Sequence, residues 1–240
     1  MGKKSEEKLI VNGKRIDKRK PMELREVEMT VGVINRADGS AEVRFGDTIA
    51  VASVYGPREL FPRFMQESDT GILRTRYNMA PFSVDDRKSP GTDRRSTEIS
   101  KVMRLALEPA LMLEDFPKVT VDVFSEIVQA DGSTRVTAIN AASLALATAG
   151  IPMKDLVVAC SVGKIDGILV LDLNGKEDNN SEADLAIAML PSKREITLLQ
   201  MDGNLTKKEV MELISQAVNA GKEIYEKQRT ALRLFYKISV

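Results

Sequence analysis

Val119-Thr120-Val121-Asp122-Val123-Phe124 alternates apolar and polar side chains; Gln129-Ala130-Asp131-Gly132-Ser133-Thr134-Arg135 follows, and a run rich in Ala and Leu then leads to Thr148 and Gly150. Alternation with a period of two predicts a strand. The helix formers after it predict a helix from about Thr134 to Thr148, with Ser133 or Thr134 as its cap and Gly150 as its stop. A strand passed directly into a helix through a glycine-bearing turn is the unit from which the remaining elements are read.

Upstream, Val27, Met29, Val31, Val33, Val43 and Phe45 fall on an alternating pattern broken by Ala37-Asp38-Gly39-Ser40 and Gly46-Asp47-Thr48, which predicts hairpin strands. Residues 56–95 carry proline, glycine and many arginines without clear periodicity, so a long irregular region with a functional role is expected there. Ser96 or Thr97 is expected to cap a helix presenting Ile99, Val102, Met103, Leu105, Leu107 and Leu111 and ending near Pro117. Strands are expected at 155–163, 168–173, 183–190 and 195–201, then a long amphipathic helix from about Lys207 to Tyr236. Strand groups followed by helices, twice over, predict an α+β fold of two related βα halves, mixed sheets packed with helices, forming a single domain over residues 21–240. Residues 1–20 hold eight Lys/Arg against Glu6, Glu7 and Asp17, and are read as a basic, solvated arm.

With 240 residues, 43% of them apolar, the chain is long enough for a real core. Lys+Arg number 35 and Asp+Glu 35, so a polyanionic partner would have to be held by local patches. There is no histidine. That excludes Ser-His-Asp and Cys-His nucleophilic schemes and histidine-ligated zinc. The one cysteine, Cys160, lies in an apolar run and is expected in the core of a protein from a reducing compartment. No stretch approaches the roughly 20 apolar residues of a membrane span, and the N-terminus shows no apolar signal core, so a soluble, cytoplasmic protein is expected.

Three constellations could carry chemistry. The 129–135 turn offers Gly132 for close backbone approach, the hydroxyls of Ser133 and Thr134, outward-pointing amides at a helix start, and the guanidinium of Arg135; an anion suits it, although a plain strand-to-helix turn would read the same way. Glu177-Asp178-Asn179-Asn180-Ser181-Glu182-Ala183-Asp184 holds four carboxylates in eight residues, a negative spot that Mg²⁺ could neutralise or else a solvated acidic loop. Arg58, Arg63, Arg74, Arg76, Arg87, Arg94 and Arg95, with Lys88, Lys101 and Arg104, supply forks for phosphate oxygens. Phe61, Phe64, Tyr77 and Phe82 are interleaved with them and could stack bases of a single strand; core packing is the favoured reading for Phe82.

These segments, with Glu98-Ile99-Ser100-Lys101, resemble the signature segments of the RNase PH family of phosphorolytic exoribonucleases. Gly71-Ile72-Leu73-Arg74-Thr75-Arg76-Tyr77-Asn78-Met79-Ala80-Pro81-Phe82-Ser83, Ala142-Ser143-Leu144-Ala145-Leu146-Ala147 and Gly150-Ile151-Pro152-Met153 narrow the likeness to the archaeal exosome branch, and it runs from about residue 10 to 236. The resemblance implies an RNase PH-like fold and a 3′→5′ exoribonuclease that attacks RNA with inorganic phosphate as co-substrate, releases nucleoside diphosphates and can run backwards to extend a tail. Matched by position, Gly132, Ser133, Thr134 and Arg135 would hold phosphate, Arg94, Arg95, Arg63, Arg74 and Arg76 would contact the single-stranded RNA 3′ end, and Asp178 and Asp184 would be the catalytic carboxylates and ligands of Mg²⁺. The family further implies a hexameric ring with a catalytically silent paralogue, topped by RNA-binding cap subunits. Asn180-Ser181 departs from the aromatic-glycine pair of several archaeal members. Two other functions share these features: a metal-dependent hydrolytic nuclease, a hydrolase in the strict sense, and a noncatalytic RNA-binding ring subunit, against which the retained Asp178 and Asp184 argue.

Overall fold

In the computed structural model, which describes residues 8–237, the strands in chain order are β1 (Ile10–Val11), β2 (Lys14–Arg15), β3 (Val27–Val31), β4 (Gly39–Phe45), β5 (Thr48–Glu59), β6 (Ile72–Met79), β7 (Val119–Gln129), β8 (Val158–Ile165), β9 (Ile168–Leu171), β10 (Ala183–Leu190) and β11 (Glu195–Gly203). The α-helices are α1 (Arg94–Leu107), α2 (Thr134–Thr148), α3 (Gly175–Asn180) and α4 (Lys207–Phe235). The strand–turn–helix unit forms as read in its bounds, but without the expected hydroxyl cap: Ser133 stands at the cap position and its side chain makes no cap hydrogen bond. Helix α2 buries nearly its whole circumference, because Ala, Ser and Thr on its surface let it sit between two sheets. A Cβ on Gly39 would come within 2.2 Å of the Ala145 carbonyl, which shows how closely β4 approaches it.

The first sheet has the order β3-β4-β5-β7-β6; β6 lies parallel to β7, with α1 on the connection, and the other pairs are antiparallel. The second, β11-β10-β8-β9, is antiparallel throughout, as is the small β1-β2 pair, so the mixed arrangement expected is found in the first sheet. One continuous apolar cluster joins residues of both halves, including Val43, Val123, Ile139, Ile187 and Leu213. Asn140, buried mid-helix on α2, donates to Ala159 O at 2.7 Å and accepts from Gln228 Nε2 at 3.1 Å, fixing α2 to β8 and α4 through a buried polar network. Cys160 is buried in this core, and burial pushes its thiol up to about 12, so it is inert at neutral pH.

Three expectations need correction. Within the region read as irregular, residues 72–79 form β6: Leu73, Tyr77 and Met79 face the core while Arg74 and Arg76 face solvent, an alternation masked by the arginines. Helix α1 starts before Ser96. Asp93 is the cap, accepting from Ser96 N–H at 2.6 Å in a capping box, and the helix stops at Leu107, ahead of Pro109.

The third concerns the N-terminal segment, whose residues 1–7, with Lys3, Lys4, Glu6 and Glu7, lie outside the described residues. From residue 8 onward it is not a solvated arm. Leu9 and Ile10 pack on Ile165, Val170 and Leu173, and their N–H groups donate to the Asp166 carboxylate at 2.7 and 3.0 Å. Arg15 is fully buried against Glu177, also fully buried: its Nε lies 2.8 Å from Oε1 and its second nitrogen bonds Oε2. Charge count could not reveal this, because a buried arginine and a solvated one contribute alike to it.

Candidate active site

The turn between β7 and α2 takes two consecutive left-handed residues, Gly132 at φ +71° and Ser133 at φ +55°. Gly132 is required twice over: by that dihedral and because a Cβ would lie 2.5 Å from the Asn174 carbonyl carbon and 2.8 Å from Gly175 N. Thr48 Oγ1 accepts from Asp131 N–H at 3.0 Å and donates to Gly132 O at 2.8 Å, so the turn is fixed from both ends. Gly132→Ala is expected to lose more than about 1 kcal/mol to the dihedral alone, before the clash is counted. Thermal unfolding of the variant checks this, and an unchanged midpoint would show that the two backbones do not meet.

The two hydroxyls at the helix start serve the framework. Ser133 Oγ is 2.6 Å from Ser161 Oγ and donates to Leu173 O at 2.8 Å, and it makes no cap to α2. Thr134 Oγ1 is 2.8 Å from the hydroxyl of the buried Tyr77. What remains for an anion is the set of first-turn amides of α2, which have no intrahelical acceptor, and the half-buried Arg135.

Of the four carboxylates in 177–184, two are neutralised. Glu177 belongs to Arg15, and Glu182 lies 3.5 Å from Lys164 Nζ while accepting from Gly167 N–H at 2.6 Å. Asp178 and Asp184 remain. Asp178 follows Glu177 in α3, whose cap Asn174 accepts from Glu177 N–H at 3.0 Å. Its carboxyl is pushed above the ordinary range mainly by burial, then by the charge of Asp184, while Arg135, Arg95 and Arg25 pull it back. Asp184, near the start of β10 and opposite Asp202 of β11, is likewise raised, first by burial and then by Asp202, with Arg135 and Arg95 opposing. Both carboxylates are oxygen donors of the kind Mg²⁺ takes alongside substrate phosphates. Among the described residues no cluster of three or more metal-ligating side chains forms.

Two adjoining cavities bring these groups together. One of about 310 Å³ is lined by Lys88, Asp93, Arg95, Gly132, Thr134 and Asp178; another of about 360 Å³ by Arg95, Arg135, Asp184, Gln200 and Asp202. Arg95 borders both. A larger hollow of about 670 Å³ lies between residues 22–27 and α4 and is not lined by Asp178 or Asp184, and the acid and arginine pairing decides for the smaller pair.

The remaining arginines divide. Arg94 precedes Arg95 on α1 and is turned about 100° around the helix from it, exposed. Arg74 is engaged by Asp122 through two bonds of 2.5 and 2.7 Å on the outer face of the first sheet, where Arg76 also lies. Arg63 stands on an exposed 3-10 turn, 3.4 Å from Glu59. Neither Arg74, Arg76 nor Arg63 lines the two cavities described above. Phe64 is 87% exposed, and Phe82, expected in the core, is 75% exposed, because loop 80–93 turns it outward; Tyr77 alone of the interleaved aromatics is buried. Asp202 and Lys88 enter the site with little warning: Asp202 only through strand register, Lys88 as one cation among ten.

Comparison with known proteins bears on the family and the fold. The profile of the 3′ exoribonuclease family, domain 1, matches residues 23–152, and that of domain 2 matches residues 155–220. The exosome complex component Rrp41 of Thermococcus kodakarensis is 60% identical over 237 residues, covering 98% of this chain and 95% of that protein. The Pyrococcus furiosus component of the same name is 59% identical over 225 residues, 94% of this chain and 90% of that protein. Among solved structures, rice Rrp46 superposes with a TM-score of 0.81 at 27% identity, covering 91% of this chain and all 100% of that one. An Archaeoglobus fulgidus exosome chain, solved with RNA bound to the active site, gives 0.79 at 25% identity, covering 90% and 93%.

Proposed function

The chain belongs to the 3′ exoribonuclease family of RNase PH, and from that premise we propose that it is the catalytic subunit of an archaeal-type exosome ring that shortens RNA from its 3′ end by phosphorolysis. Orthophosphate attacks the phosphorus of the terminal phosphodiester, the bond from that phosphorus to the preceding ribose 3′ oxygen breaks, the terminal residue leaves as a nucleoside diphosphate, and the 3′ oxygen takes a proton. The reverse reaction extends a tail. The reading also takes in a catalytically silent paralogue completing a hexameric ring, RNA-binding caps above it, and a cytoplasmic setting; among the described residues, no helix is long and apolar enough to cross a membrane.

One observation carries this reading: Arg95 borders both cavities, with Arg135 and Asp184 in one and Gly132 and Asp178 in the other. The reaction brings two anions together and adds charge on the way to the transition state, which positioned guanidinium groups and helix-start amides stabilise. Arg135 and the first-turn amides of α2 hold orthophosphate; Arg95 aligns the RNA terminus. Asp184, with its carboxyl raised, supplies the proton to the departing oxygen. The other assignment of Asp184 is as an ionised ligand: with Asp178 it would then hold Mg²⁺, which would supply neutralising charge in place of the proton.

The hydrolytic alternative rested on four clustered carboxylates, and Arg15 and Lys164 neutralise two of them. Phosphorolysis is not hydrolysis, so the products separate the readings. End-labelled RNA should yield nucleoside diphosphates only when orthophosphate is supplied; monophosphates without it would overturn the proposal. Arg95→Ala is expected to weaken RNA binding and to flatten its salt dependence by about one unit of slope, more than Arg94→Ala does. Equal effects in the two variants would remove Arg95 from its special place.

A further inference from the structure

One ammonium in the site is left over by this reaction. Lys88 belongs to the irregular segment 80–93 yet is firmly fixed there. Its N–H donates to Pro81 O at 3.0 Å, Ser83 N–H donates to Ala80 O at 2.9 Å, and Ala130 N–H donates to Ser83 O at 2.8 Å, fastening the segment to the residue that opens the anion turn. The side chain is 18% exposed, and Nζ lies 3.0 Å from an oxygen of Asp93. Nζ is buried, and Asp93 is its one partner among the described residues: after the Ser96 N–H, the ammonium helps hold that carboxyl well below the usual carboxylate range, but no second acceptor meets Nζ. Asp93 is already committed, since its other oxygen caps α1 through Ser96 N–H at 2.6 Å.

An ammonium carries three donors, and burying them with a single partner costs free energy that a fixed loop has no reason to bear without a ligand. The cavity that Lys88 lines also holds Gly132, Thr134 and Asp178, whereas Arg135 lines the neighbouring one. Apart from Arg95, which borders both cavities and is assigned to the RNA terminus, each cavity brings one cation to the anion turn: Lys88 in one and Arg135 in the other. Orthophosphate offers four oxygens and about two negative charges, more than one guanidinium and a helix start satisfy.

We propose that Lys88 is a second cation of the phosphate site, its ammonium turning from Asp93 to the attacking orthophosphate, and in the reverse direction to the terminal phosphate of the nucleoside diphosphate. The inference rests on the phosphorolytic reading and deepens it. The test uses the full chain, in the assembly that gives wild-type activity, with Lys88→Met, Lys88→Arg and two titrations. In Lys88→Met the KM for orthophosphate should rise about tenfold or more, as loss of a charged hydrogen bond does, while the KM for RNA stays near the wild-type value. Lys88→Arg should recover most of the loss. A rise in the KM for RNA alone would assign Lys88 to the nucleic acid backbone, and no change in either would return it to a loop contact; both overturn the inference. A wild-type enzyme that needs no orthophosphate would instead remove the reading beneath it.

Discussion

Asp184→Asn is expected to reduce phosphorolysis by about 10²–10⁴-fold, the usual contribution of a positioned proton donor, while leaving RNA binding equal or tighter. The sign of the second effect follows from charge. Asp184 faces Arg135 and Arg95, the groups assigned to the two anionic substrates, and lies beside Asp202. Where Asp184 is ionised, the change to Asn removes a negative charge and its repulsion of the anionic substrates; where it carries the proton it donates, the change leaves the charge as it was, so binding is equal or tighter. A variant that loses binding and turnover together would show that the carboxylate supports the arginines. Undiminished release of nucleoside diphosphates would dismiss Asp184 as the acid.

Glu177→Ala should unfold the protein readily. It leaves Arg15 buried with its Nε unpaired, and breaking a buried pair from one side typically costs about 3–5 kcal/mol, or roughly 6–20 °C in the midpoint of a domain this size. Arg15 keeps its bond to Asp172 O at 2.7 Å, which limits the loss without satisfying the charge. Glu177 also belongs to the capping box of α3, and Asp178 follows it, so activity should fall at temperatures where the fold persists. The pairing itself is tested by Arg15→Met with Glu177→Leu: replacing both charges with apolar groups of similar size should recover much of the stability lost by Glu177→Ala. A single variant with a wild-type midpoint would mean that Arg15 does not hold α3 through Glu177.

Much of the architecture was legible in local pattern. The alternation of residues 119–124 and the helix formers after Ser133 predicted β7 and α2, and the two turn signals between Val27 and Val54 separated β3, β4 and β5. Strand β6 escaped because its solvent-facing positions hold arginines, which resemble a basic loop when the buried partners Leu73 and Tyr77 are not known to be buried. The cap of α1 escaped because Asp93 and Ser96 both suit that position, and the choice is made by which oxygen reaches which N–H.

For the site, the types and order of the groups were written in the sequence: glycine where the backbone turns left-handed, hydroxyls after it, an arginine in the first helical turn, and aspartates six positions apart. Their division of labour was not. Ser133 and Thr134 spend their hydroxyls on Leu173 O and Tyr77, Glu177 is taken by Arg15, and Lys88 and Asp202 arrive from distant segments. Covalent order specifies which chemistry a chain can offer, because residue type and local dihedral preference act over a few positions. Which of those groups stays free to meet a substrate depends on desolvation and on partners brought close from more than a hundred residues away, and only the folded chain settles that.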